Sequence, residues 1–137
     1  MTLKQALLSY LIALAVFFAV DMVWLGLVAR GFYRRYLGAM LSPKVNWAAA
    51  ILFYLLFIAG LIVFVVKPVL LKGGTFEAAG LGALFGLICY ATYDLTNLAT
   101  LKDWPILVTV IDLVWGTALG GVVSLLTVVL SRRFLKI

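Results

Sequence analysis

Four long runs of apolar residues, separated by short polar breaks, organise the chain. They cover residues 5–28, 47–66, 78–100 and 105–130. Each is at least about 20 residues long, enough to cross a hydrocarbon layer of about 30 Å as an α-helix. Helix is the required form, because lipid offers no partner to an unpaired backbone amide. The breaks carry residues suited to helix ends. Pro43, Pro68 and Pro105 all fall at the edges of the runs, where a missing N–H does least harm. Lys72-Gly73-Gly74-Thr75 reads as a turn. Lys102-Asp103-Trp104-Pro105 is so short that the third and fourth helices should form an antiparallel hairpin. Lys4 precedes the first run as it would in a signal peptide, but the run is too long and no small-residue cleavage site follows, so a retained helix is expected. The pattern predicts an all-α integral membrane four-helix bundle, a single transmembrane domain over residues 1–137.

Composition strengthens this picture. The chain is 66% hydrophobic and 12% charged, whereas a soluble domain is about half apolar and a quarter charged. The net charge of +6 would suggest nucleic acid in a soluble protein. Here the basic residues lie almost entirely between the apolar runs, the place of anchors to anionic headgroups, so the expected partner is membrane lipid and not nucleic acid. Arg30-Gly31-Phe32-Tyr33-Arg34-Arg35-Tyr36-Leu37 mixes rings with guanidiniums and is expected to form an interfacial segment after helix one, with Arg30, Arg34 and Arg35 facing headgroups. Lys4, Lys67, Lys72, Arg132, Arg133 and Lys136 fall on the side of the termini, against Arg30, Arg34, Arg35, Lys44 and Lys102 on the other. That small bias leans towards cytoplasmic termini in a bacterial inner membrane and leaves dual topology open.

The candidate chemistry lies inside the runs. Asp21, Asp94 and Asp112 stand within apolar spans, where a charge near mid-bilayer costs at least about 2.5–3.5 kcal/mol. If helix one ends near residue 28, all three sit about 10 Å below the same face, at about 1.5 Å per residue. Their neighbours at helical spacing are polar aromatics and an amide: Trp24 after Asp21, Trp115 after Asp112, and Tyr90, Tyr93 and Asn97 around Asp94. These eight residues form a candidate ligand-binding or proton-binding cluster. Protonation could satisfy it, since low dielectric penalises the anion. So could indole and phenol donors, a cation held over the rings, or a reaching Arg30 or Lys102. A purely architectural polar network is the plainer alternative, although such bonds average only about 0.6 kcal/mol in membranes.

Small-xxx-small pairs at Gly82/Gly86 and Gly116/Gly120 should let helices three and four approach closely in the half away from the acids, leaving a one-sided cup at the acidic end. The chain has no histidine, and its lone Cys89 has no obvious activator and reads as a small buried hydrophobe. Serine–histidine hydrolysis and zinc sites are therefore excluded. The carboxyls would suit only Mg²⁺ or Ca²⁺, and neither a metal nor a cofactor is called for.

Asp21-Met22-Val23-Trp24-Leu25-Gly26, Phe32-Tyr33, Leu37-Gly38, Phe53-Tyr54, the run from Tyr90 to Ala99 and Asp112-Leu113-Val114-Trp115-Gly116 together resemble the DUF2177 family of small bacterial membrane proteins. The resemblance covers nearly the whole chain. It implies a four-helix integral membrane protein and carries over no activity.

Three expectations of function follow from the residues. The first is a site for a lipid-like or amphipathic ligand, with carboxyl acid–base chemistry on that ligand as an extension and Arg34 and Arg35 meeting any phosphate. The second is a proton- or cation-coupled transporter, which would need a homo-oligomer because four helices are few for a transport path. The third is a structural partner subunit of a membrane complex.

Overall fold

The computed structural model describes residues 1–137. Four helices, α1 (Leu3–Met40), α2 (Trp47–Lys72), α3 (Thr75–Thr100) and α4 (Ile106–Leu135), are long and apolar enough to cross a membrane. They form an all-α four-helix bundle. A capping box starts α1: Thr2 Oγ1 accepts from the Gln5 amide at 3.1 Å, while Gln5 Oε1 accepts from the Thr2 amide at 2.9 Å. Pro105 is the N-cap of α4, and Asp103 makes the preceding turn with a left-handed φ of 61°.

Two helices outrun the sequence expectation. No separate interfacial segment follows residue 28. Helix α1 passes through a π-turn at Leu25–Ala29 and continues as α-helix over Arg30–Leu37. Loss of apolarity marks where a helix leaves the hydrocarbon, and the hydrogen-bond ladder needs no lipid to persist. Nor does Pro68 end α2, which runs on to Lys72. A π-turn at Ile62–Val66 lies immediately before it, with the Lys67 amide bonded to the Ile62 carbonyl five residues back. The widened turn makes room for a proline ring that would otherwise crowd the preceding carbonyls.

Helix α1 runs antiparallel to α4 along its whole length. Ser9 pairs with Ser131 at 3.1 Å near the termini, Trp24 stacks on Trp115, and Leu37 packs with Trp104 and Val108 at the other end. The α3–α4 contact is backbone on backbone. A Cβ on Gly86 would run into the Gly116 carbonyl, and one on Gly82 into the Gly120 carbonyl. The apolar core occupies the half of the bundle nearer the termini, where Phe17, Phe57, Ile58, Leu61, Leu119 and Val123 are almost fully buried.

Arg132 ties the terminal end together. Its guanidinium donates to Thr75 Oγ1 at 2.8 Å, to the Gly73 carbonyl at 2.7 Å and to the Val69 carbonyl at 3.1 Å. It thus serves carbonyls that the end of α2 leaves without intrahelical partners. Arg132→Ala is expected to lower unfolding free energy by about 2 kcal/mol, within the range for hydrogen bonds to a charged group. Thermal unfolding in detergent micelles checks this, and Arg132→Lys should recover little, since an ammonium cannot span the three acceptors.

Candidate functional site

The half of the bundle away from the termini is hollow. A cavity of about 680 Å³ lies among all four helices. Helix α1 gives it Asp21, Trp24, Leu25 and Tyr33, and α2 gives Ala49, Ala50, Phe53 and Tyr54. Helix α3 supplies Cys89, Tyr90, Tyr93 and Asp94, and α4 supplies Asp112 and Trp115. The glycine seam explains why the space opens here. Towards the termini α3 and α4 touch through glycine. At Tyr90 the first large side chain enters the contact, its ring lying against the Cα of Gly116.

The three aspartates are buried, with exposures of 7% for Asp21, 0% for Asp94 and 7% for Asp112. Their surroundings differ. Asp112 Oδ1 accepts a hydrogen bond from the Tyr33 hydroxyl. Asp94 has no hydrogen-bond partner at either carboxylate oxygen. Its backbone is held well, since the Thr109 hydroxyl donates to the Asp94 carbonyl at 3.3 Å and itself accepts from the Trp104 indole at 3.0 Å. The helix is thus pinned at Asp94 while its carboxyl is left without a donor. Buried polar groups nearly always find a partner, so this exception calls for an explanation.

The indoles of Trp24 and Trp115 stack with centroids 4.4 Å apart and planes 8° from parallel. That stack corrects the common depth expected for the acids. Asp21 precedes Trp24 by three residues and Asp112 precedes Trp115 by three, on helices that run in opposite directions. Asp21 and Asp112 therefore lie on opposite sides of the tryptophan pair, about 9 Å apart along the bundle at about 1.5 Å per residue. Asp94 shares the Asp112 side, as its bond to Thr109 requires. The cup has two acidic levels, a pair near the mouth and a single carboxyl deeper in. No three acidic side chains converge closely enough to hold a metal ion.

Of the residues singled out for chemistry, Asp21, Trp24, Tyr90, Tyr93, Asp94, Asp112 and Trp115 are brought together on this one cavity, and Asn97 is not among its lining residues. Arg30, Arg34 and Arg35 are exposed and none lines the cavity, so no guanidinium reaches the acids. Lys102 likewise stays outside. Tyr33, Phe53 and Tyr54 were not assigned to the cluster by sequence reasoning. The available signal for Tyr33 was the lack of any proline between residue 24 and Pro43, which allows α1 to carry that tyrosine alongside α4. Cys89 also faces the cavity, half-buried.

A family model described as a predicted membrane protein matches residues 6–129. No curated protein and no solved structure matches the chain.

Proposed function

The chain belongs to the DUF2177 family of predicted membrane proteins, and within that membrane frame we propose that its acidic–aromatic cavity binds a lipid-like or amphipathic ligand. One observation carries the reading: Asp94 is wholly buried, lines the cavity and has no partner for either oxygen. A carboxyl kept only for architecture would be bonded to a neighbouring helix, because an unmet buried polar group costs about 1–3 kcal/mol or more. The volume is within the usual range for a small-molecule site, about 300–1,000 Å³, and the wall has the usual make-up of apolar and aromatic side chains around a few polar groups. In our reading the chain lies in the bacterial inner membrane with both termini cytoplasmic, which turns the acidic end of the bundle towards the periplasmic leaflet.

Native mass spectrometry of the wild-type protein beside Asp94→Asn tests the proposal. The wild type is expected to retain a small co-purifying molecule through mild detergent removal, and the variant is expected to lose it. If the variant keeps every adduct of the wild type, the cavity is not a ligand site built on Asp94.

A further inference from the structure

The polar inventory of the cavity narrows the ligand, on the premise that the cavity binds one. Its acceptors are the three carboxyls, and its phenols both donate and accept. No lysine or arginine lines it, and the chain has no histidine. A phosphate, sulfate or carboxylate head entering here would meet carboxyls with no base to pair with, and an unpaired buried charge is among the costliest arrangements in a protein. The Asp94–Asp112 level is short of hydrogen-bond donors. Asp94 has none at either oxygen, and Tyr33 serves Asp112 through Oδ1 alone. The wall beside this level is built of π faces, with the stacked indoles of Trp24 and Trp115 and the ring of Tyr90. Aromatic faces attract cations, most strongly where water is excluded.

We propose that the ligand is a cationic amphiphile whose primary ammonium group donates its N–H bonds to Asp94 and Asp112, with its apolar part against the aromatic wall. A primary ammonium brings three donors and no acceptor, which complements an acceptor-rich, donor-poor site. Pairing of the charge with the two carboxyls turns the unpartnered state of Asp94 into the condition for binding.

Octylammonium, octanol and octanoate share one chain length and differ in the head alone. Each is titrated into the wild-type protein in uncharged maltoside micelles, below the concentration at which it forms micelles itself. Binding is read by tryptophan fluorescence, since Trp24 and Trp115 line the cavity, and by native mass spectrometry. Octylammonium is expected to saturate with a Kd at least about tenfold below that of octanol, a difference of about 1.4 kcal/mol, and octanoate is expected not to saturate. Asp94→Asn is expected to raise the octylammonium Kd at least tenfold and to leave that of octanol nearly unchanged. Equal binding of octanol and octylammonium, with both weakened by Asp94→Asn, overturns the cationic head and leaves the amphiphile site standing. Octanoate binding as tightly as octylammonium overturns the cationic head in the same way. No saturable binding by any of the three overturns both readings. If Asp94→Asn does not fold, the wild-type series alone decides, because the contrast in head charge needs no mutation.

Discussion

Gly86→Ala and Gly80→Ala, the same change on the same helix, are expected to shift stability in opposite directions. Gly80 has open space where a Cβ would go. Alanine there removes a backbone-entropy penalty and should stabilise by about 0.5–1 kcal/mol. At Gly86 the new methyl would collide with the Gly116 carbonyl and lie 3.2 Å from the Gly120 Cα. Both obstacles are backbone, so no side chain can rotate away, and α3 and α4 must separate. Overpacking costs about 1–3 kcal/mol, occasionally more. With no rotamer to relieve it, the loss at Gly86 should reach about 3 kcal/mol at the top of that range. The damage should also spread to the cavity, because Tyr90 packs against Gly116 one turn away. Reversible unfolding in mixed micelles, followed by circular dichroism, measures both variants against the wild type. A Gly86→Ala protein as stable as the Gly80→Ala protein would remove the close helix contact as the origin of the hollow acidic half.

The sequence made the four spans and the unusual residues visible, and the reasons for its misses are physical. Apolarity reports contact with lipid, so it located the hydrocarbon-crossing parts of each helix and said little about where a helix ends. The arginines after residue 28 read as a loop because charge leaves the bilayer there, yet nothing in residues 25–37 breaks a helix. Pro68 read as a stop because proline removes one hydrogen bond, and the π-turn before it is a tertiary accommodation with no signature in the run IVFVV. The error in helix length then propagated to the site. Counting from residue 28 put Asp21 level with Asp94 and Asp112, whereas the antiparallel stacking of Trp24 on Trp115 puts it beyond the indoles. Tyr54 was silent for another reason. One tyrosine in an apolar helix has no periodicity to expose it, and its place opposite Asp21 depends on how α2 rotates against α1.

Asp94→Leu is expected to make the protein more stable and unable to bind the cationic probe. Leucine keeps the branch point of the aspartate and puts two methyls where the two oxygens stand, next to a cavity that can take the extra volume. The oxygens it removes have no partner in the folded bundle, so no native hydrogen bond is lost. The change relieves the cost of an unmet buried polar group, about 1–3 kcal/mol. A membrane insertion preference of similar size adds to it, since aspartate at a helix centre costs about 2.5–3.5 kcal/mol whereas leucine is slightly favourable. These two figures describe overlapping physics, so the expected gain is about 2–3 kcal/mol and not their sum. The opposite sign is equally informative. Had Asp94 been one strut of an interhelical polar network, its removal would orphan its partners and destabilise the bundle. Unfolding in micelles gives the sign, and the octylammonium titration on the same sample gives the binding. Higher stability with lost binding identifies Asp94 as a group held ready for a ligand at the expense of the fold. Lower stability would return the three aspartates to architecture.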